Sequence, residues 1–192
     1  VLLGVKLLFG IKTRYRKIGL SVFVLWILSI GSLIIMNVEL GMNFKQHVDL
    51  DYEVSTTMND STDVLYIDVR EDDIFSKHIT FNNVWNFSDL VKVEDDKMYL
   101  GYTNLDLNVK NDSSNFTIIL HKESNGLSNQ DATDRAEKIE FDLNLTDNRL
   151  MLSPYFIINA NDKFRGQIVT IEIQVPLGKK VVFGNNVDRI SV

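Results

Sequence analysis

The chain has 192 residues, with 20 Lys and Arg against 26 Asp and Glu, so its net charge is −6. It contains no cysteine, which excludes disulfides, thiolate nucleophiles and Cys-ligated metal centres. All acidic residues follow Met36, and the remaining body shows no Lys/Arg cluster of the kind that binds nucleic acid phosphates. The sequence therefore divides into a basic, apolar head and an acidic, polar body, and no nucleic acid partner is expected.

The head carries an uncharged apolar run at residues 18–36, which is long enough to cross a lipid bilayer as a helix. We predict a transmembrane region over residues 1–40, with the end of one span at 1–11, a basic loop at 12–17 and a second span at 18–36. The chain is expected to be part of a longer protein, because an apolar run is already under way at its first residue. No A-x-A-like cleavage site follows the second span, so a retained anchor is favoured over a signal peptide.

The charge of the loop predicts the orientation of the body. Short loops rich in Lys and Arg stay in the cytoplasm, so residues 37–192 are expected on the opposite side of the membrane. Small residues also recur within the span, and such residues let two helices approach closely in lipid. They are Gly19, Ser29, Gly31 and Ser32. Two interpretations stay open, namely a helix-packing face and the ordinary frequency of Gly and Ser in membrane spans.

The body is rich in Asn and Asp, which favour turns, and between them apolar and polar residues alternate. A period of two predicts half-buried strands. We expect a polar tether or first strand at residues 41–63, followed by an all-β domain of many short strands, a solenoid or a sandwich, at 64–192. Strands are predicted at 65–69, 90–93, 97–102, 105–109, 116–121, 139–145, 149–152, 155–158, 169–175 and 180–183. A short helix is predicted at 128–138, because Ser128 and Asp131 fit a capping pattern.

Few residues of the body suggest chemistry. The histidines, His47, His78 and His121, lack the spacing of metal ligands and are interpreted as surface residues. Two acidic pairs, Asp72–Asp73 and Asp95–Asp96, each fall in a turn between predicted strands, where solvated turn residues are the simplest interpretation. We therefore expect no catalytic residue, no metal and no cofactor, and a protein that is not an enzyme.

Aromatic side chains leave one question open. Trp85, Tyr99, Tyr102 and Tyr155 fit either the core of a β-domain or an exposed row that binds sugars. The sequence does not separate these two interpretations.

Three ordered motifs near the C-terminus are more specific than composition. They are N-x-L-x-L-x-P-Y-F at 148–156, D-K-F-R-G-Q at 162–167 and V-P-x-G-K at 175–179. Together they resemble the extracytoplasmic ToastRack domain of PspC-domain (phage shock protein C-related) membrane proteins of Bacteroidetes. The chain departs from that pattern at Ser153, where we expect Asp in relatives, and at Phe164, where we expect Trp. The apolar head is similar to the PspC-related transmembrane region that precedes this domain in the family.

The motif residues are interpreted as structural rather than catalytic. They are Pro154, Tyr155, Phe156, Asp162, Arg165, Gly166, Pro176 and Gly178. Pro154 is expected to form a hairpin corner with Asp147 and Asn148. Gly166 and the Pro176–Gly178 segment are expected to form turns beside the last long strand. Arg165 is expected to bond backbone carbonyls at its corner.

The resemblance implies a function. It predicts a bacterial inner-membrane sensor or scaffold of the phage-shock envelope-stress type, with residues 37–192 outside the cytoplasm. Besides the lipid bilayer, its partners would be other envelope proteins or a second copy, bound through the span and a sheet edge. The alternative is a membrane-anchored surface β-domain that binds glycan or adhesin partners, and a third class is an envelope hydrolase that uses its carboxylate pairs.

Overall fold

The computed structural model describes residues 16–54, 62–71, 74, 91–101, 103–111 and 113–192. The chain divides into two compact units, Val1–Met42 and Asn43–Val192. Several predictions lie outside the described residues. They concern the span at 1–11, most of the loop at 12–17, the pair Asp72–Asp73, His78, Trp85 and Tyr102.

Helix α1, Arg16–Met42, forms the described part of the first unit. It begins inside the expected basic loop and continues past the expected end of the span at Met36. Its segment Leu20–Val38 has a mean hydropathy of 2.2, and none of it is buried. A helix that is apolar on all sides needs apolar surroundings, and this one is long and apolar enough to cross a membrane.

The second unit is built mainly from short strands. They are β1 (Gln46–Val54), β2 (Val64–Val69), β3 (Val91–Glu94), β4 (Lys97–Leu100), β5 (Thr103–Lys110), β6 (Thr117–Gly126), β7 (Leu143–Thr146), β8 (Arg149–Leu152), β9 (Phe156–Asn159), β10 (Ile168–Pro176) and β11 (Lys180–Phe183). Helix α2, Asn129–Glu137, follows β6. The prediction of an all-β domain of short strands that follows an apolar helix in the chain is confirmed.

The strands form three small sheets. The first has the order β1-β6-β10-β5, in which only the β10–β5 pair is parallel. The second has the order β11-β2-β8-β7, with parallel pairs on both sides of β2. The third has the antiparallel order β3-β4-β9. Each parallel pair joins strands that lie far apart in the chain.

One core serves all three sheets. The period of two along each strand turns every second side chain inward, as the sequence predicted. The fully buried members include Leu65, Ile67, Leu100, Leu105, Ile118, Leu150, Leu152, Phe156, Ile171 and Ile173. Because these residues come from β2, β4, β5, β6, β8, β9 and β10, the sheets depend on one another for burial.

Helix α2 confirms its predicted cap. The backbone N–H of Asp131 donates to the Ser128 hydroxyl at 3.2 Å, and Ala132 and Ala136 are fully buried. The strand expected at 139–145 is wrong in its first half. After α2 the chain forms only an isolated bridge between Glu140 and Ile157, and β7 starts at Leu143.

Of the two interpretations of 41–63, a tether or a first strand, the described part supports the strand, because β1 pairs with β6 along its whole length from Gln46 to Val54. The expected hairpin corner changes in the structure. The hairpin corner between β7 and β8 consists of Asp147 and Asn148, with Asp147 at φ 53°. Pro154 lies beyond β8 and takes no part in that corner.

Candidate functional site

The D-K-F-R-G-Q motif forms a corner that joins β6, α2 and β10. The carbonyl of Arg165 accepts hydrogen bonds from the backbone N–H of Asn125 at 3.1 Å and from its Nδ2 at 2.9 Å. The Arg165 guanidinium donates to the Phe164 carbonyl at 3.1 Å, which is the kind of contact predicted for it. Gly166 has φ +68°, a conformation in which glycine carries no steric penalty. Asp162 contributes its backbone carbonyl, which accepts from Arg135 of α2.

The other two motifs also form turns that are closed by hydrogen bonds to backbone carbonyls. Ser153 donates its hydroxyl to the Tyr155 carbonyl at 2.7 Å, and this bond closes a turn around the buried Pro154. Phe156 follows directly and is fully buried in the core. At the end of β10, the Lys179 N–H donates to the Pro176 carbonyl at 3.2 Å, with Gly178 at φ +85°.

A cleft of about 400 Å³ lies beside the Ser153–Tyr155 turn. Its lining includes Lys122, whose Nζ donates to the Ile139 carbonyl at 2.7 Å. Burial lowers the pKa of Lys122. Two other lining residues, Arg70 and Asp142, form an ion pair, with 2.6 Å between Nη1 and Oδ2. Because these charged groups are already bonded to protein atoms, the described lining residues offer no converging set of polar groups for a ligand.

A cluster of titratable side chains lies on the polar face of the first sheet. The register places Asp51 of β1 directly opposite His121 of β6. Nδ1 of His121 lies 2.7 Å from the Asp51 carboxylate, and Nε2 lies 3.2 Å from Glu172 of β10. Asp49 is the next carboxylate, 3.8 Å from Nδ1. His121 is therefore not the isolated surface residue that the sequence suggested, since its side chain is only 17% exposed.

Asp49, Asp51 and His121 are the residues here that can hold a metal ion, because their ligand atoms lie within 4.8 Å of one another. The hydrogen bonds of the cluster are also satisfied without a metal ion. A protonated imidazole donates to Asp51 through Nδ1 and to Glu172 through Nε2, and so joins β1, β6 and β10. His47, the other described histidine, is more exposed and lies 3.5 Å from Glu123.

The cluster predicts a pH-dependent stability. Burial by itself lowers the pKa of His121, but the hydrogen bonds to Asp51 and Glu172 and the negative charge of Asp49 raise it overall above 6.5. When folding raises the pKa of a histidine, the protonated histidine stabilises the fold. This stabilisation is complete at low pH, and it is lost as the pH rises through the pKa of the folded state. For the fragment 43–192 we expect the free energy of unfolding to fall by on the order of 1 kcal/mol between about pH 6 and about pH 8.

Urea denaturation of the His121→Gln variant measures this contribution, and the pH slope is expected to flatten. The His47→Gln variant is the matched control and should keep the slope. A hydrogen bond from Gln174 lowers the pKa of Glu172. The contribution of Glu172 to stability is therefore lost only at acidic pH, below the range from about pH 6 to about pH 8. An unchanged slope in His121→Gln contradicts the assignment.

The two described members of the candidate sugar-binding row, Tyr99 and Tyr155, pack against each other. Tyr155 is buried, and Tyr99 packs against it edge-to-face at 5.4 Å between ring centroids. The described acidic pair is a hairpin turn, since Asp95 and Asp96 connect β3 to β4 with φ 48° and 61°. Neither arrangement supports the glycan-binding or the hydrolase interpretation.

The four small residues of the span all lie within α1. Ser29 donates its hydroxyl to the Leu25 carbonyl of its own helix at 2.9 Å. Around Gly31 an added Cβ would meet no atom within 4 Å. The neighbourhood of Gly31 and Ser32 is thus open to a second helix, whereas the hydroxyl of Ser29 is already bonded.

Comparison with known proteins gives one match. The family described as the ToastRack found in some PspC proteins matches residues 92–191, which is more than half of the chain. No curated protein and no solved structure matches the chain. The matched residues contain the three motifs, both turn glycines and all strands from β4 to β11. This chain therefore belongs to the family of ToastRack domains found in some PspC proteins.

Proposed function

We propose that this protein is a non-enzymatic sensor or scaffold of the bacterial inner membrane, in a phage-shock-type envelope-stress response. Its membership in the PspC-associated ToastRack family carries the proposal. The apolar helix α1 supports a membrane anchor, and the bonded charges of the cleft favour a structural role over catalysis. A Bacteroidetes source and a PspC-related transmembrane region at residues 1–40 belong to the same proposal.

Such a protein would act by association. It would have no enzymatic output, so a signal would have to be transmitted by a change in helix packing or in the occupancy of a partner site. The open surroundings of Gly31 permit close helix contact, and the sheets present edge strands to a partner. The partners would be other envelope proteins or a second copy of this chain.

The orientation is tested by cysteine labelling, because the chain has no cysteine of its own. We expect a cysteine at the exposed position Glu137 to react with a membrane-impermeant maleimide in intact spheroplasts. A cysteine at Thr13, in the basic loop, is expected to react only after lysis. Labelling in the reverse pattern would exclude an extracytoplasmic sensor domain.

Crosslinking in native membranes tests the association itself. After envelope stress, we expect the wild-type chain to form more crosslinked complexes than in unstressed cells. The double variant Gly31→Leu, Ser32→Leu should lose complexes that form through the span, because leucine side chains hold the helices apart. The matched control is Leu25→Ile, Ile27→Leu, which leaves the helix equally apolar. If stress changes no complex in any of these chains, the proposed mechanism is wrong.

A further inference from the structure

Strand β5 is an edge strand that is only partly covered. On one side it pairs with β10 along its length, from Thr103 to Lys110. On the other side Ser191 bonds its first residues, with Leu105 N–H donating to Ser191 at 2.8 Å and Ser191 N–H donating to Thr103 at 3.0 Å. Beyond that bridge, residues 106–109 are exposed, and no described strand pairs with this side of them.

The uncovered part directs backbone groups to the open side. Thr103 points its C=O group, and Leu105 its N–H group, at Ser191, away from β10. Because a strand repeats every second residue, Leu107 and Val109 point theirs in the same direction. The side chains of Leu107 and Val109 are 38% and 70% exposed. Unpaired backbone groups and exposed apolar side chains therefore coincide, which is the combination that invites an added strand.

We propose that β5 pairs with β5 of a second copy of this chain, antiparallel and centred on Asn108. This inference rests on the proposed function, in which the protein acts by association. In this register Leu107 lies opposite Val109 of the second copy, and their backbone groups form the hydrogen-bonded pairs. Asp106 lies opposite Lys110 of the second copy, and a two-fold axis repeats every contact.

Charge and backbone geometry select this register over its neighbours. If the two-fold axis lay between two residues, backbone groups that point outward on one copy would lie opposite backbone groups that point inward on the other copy. A centre on Leu107 requires the backbone of Leu105, which Ser191 already occupies. A centre on Val109 would place Lys110 opposite Asn108 of the second copy, so Lys110 would lose its pairing with Asp106.

Lys110 is suitably placed for the new pair. Its Nζ donates to Gln174 at 2.8 Å on the polar face of the sheet, the face that Asp106 and Asn108 share. A neutral amide is the weaker partner, so a carboxylate of the second copy can replace it. Five residues from each copy form a small interface, and confinement to a membrane raises the effective concentration that such an interface needs.

The test uses the full chain in native membranes. Asn108→Cys places one cysteine at the two-fold axis, where opposed Cα atoms are about 4.5 Å apart, within the range of a disulfide. We expect a disulfide-linked dimer under mild oxidation. Asn129→Cys, an exposed asparagine on α2, is the matched control for random collision and should give at least about fivefold less dimer.

Charge reversal then tests the register. In the Asn108→Cys background, Asp106→Lys and Lys110→Asp should each lower the dimer at least about fivefold, because each places like charges opposite one another twice. The chain with both reversals should recover the dimer. Differently tagged chains, one with each reversal, should form the mixed dimer when co-expressed, since both pairs are then opposite in sign. Recovery in these two cases also shows that the reversed chains fold.

Failure of this inference is distinct from failure of the proposed function. If Asn108→Cys gives no more dimer than Asn129→Cys, or if charge reversal has no effect, β5 self-pairing is excluded. Stress-dependent complexes of the wild-type chain in that case would leave the proposed function intact. If the dimer follows the charge pattern while stress changes no complex of the wild-type chain, β5 self-pairing is supported and the proposed function fails.

Discussion

Replacing Phe156 with alanine is expected to lower the free energy of unfolding of the fragment 43–192 by about 3–5 kcal/mol. Phe156 is fully buried at the start of β9, in a core to which all three sheets contribute. Removing the ring leaves a cavity whose surroundings can collapse only partly, because the strands around it are fixed by their ladders. Urea denaturation followed by circular dichroism measures the loss.

The matched control for this change is Phe183→Ala. Phe183 lies on β11 and is 45% exposed, so the same truncation is expected to change the stability by at most about 1 kcal/mol. Equal losses in the two variants would mean that Phe156 does not anchor the core. The fragment must start at Asn43, because β1 begins at Gln46 and pairs along its whole length with β6.

The Gly166→Val variant is expected to lose about 3 kcal/mol of stability. Gly166 has φ +68°, which a β-branched residue adopts only under strain. A Cβ at this position would also lie 2.8 Å from Nδ2 of Asn125, the group that donates to the Arg165 carbonyl. Strain and contact together would open the corner that joins β6 to β10. Thermal and urea unfolding of the same fragment measure the effect.

The Gly178→Val variant separates the effect of backbone strain from the effect of a steric contact. Gly178 also has a positive φ, +85°, but an added Cβ would meet no atom within 4 Å. We expect this variant to lose only about 1–2 kcal/mol, from backbone strain alone. If Gly166→Val keeps its melting temperature and yet abolishes the stress response, the corner is a binding site and its structural assignment is wrong.

These predictions place the family motifs in the fold rather than in a reaction centre. Arg165 and Asp162 hold one corner through their backbone carbonyls, Gly166 supplies its positive φ, and Ser153 closes the turn around Pro154. Any binding function would then lie where side chains or backbone groups face solvent. The polar face around His121 and the open side of β5 are two described places of this kind.

Local patterns in the sequence predicted the elements. The uncharged run at 18–36 predicted helix α1, and the capping pair Ser128 and Asp131 predicted α2. Alternation of apolar and polar residues predicted most strands, because burial of one sheet face requires that period whichever strands are neighbours. The same alternation led to the wrong strand at 139–142, where Ile139 is buried in the common core without being part of a strand.

Only the tertiary structure decided which strands are neighbours. The partners of β2 and β10 lie up to 116 residues away in the chain, as for Val64 and Lys180, and no local pattern encodes such a pairing. His121 meets Asp51 and Glu172 because β1 and β10 flank β6, so the titratable cluster could not be read from neighbours in sequence. The open side of β5 likewise depends on where Ser191 returns to the sheet. Periodicity is a property of a single strand, whereas register and edges are properties of the assembled sheet, and both the His121 cluster and the open side of β5 depend on the latter.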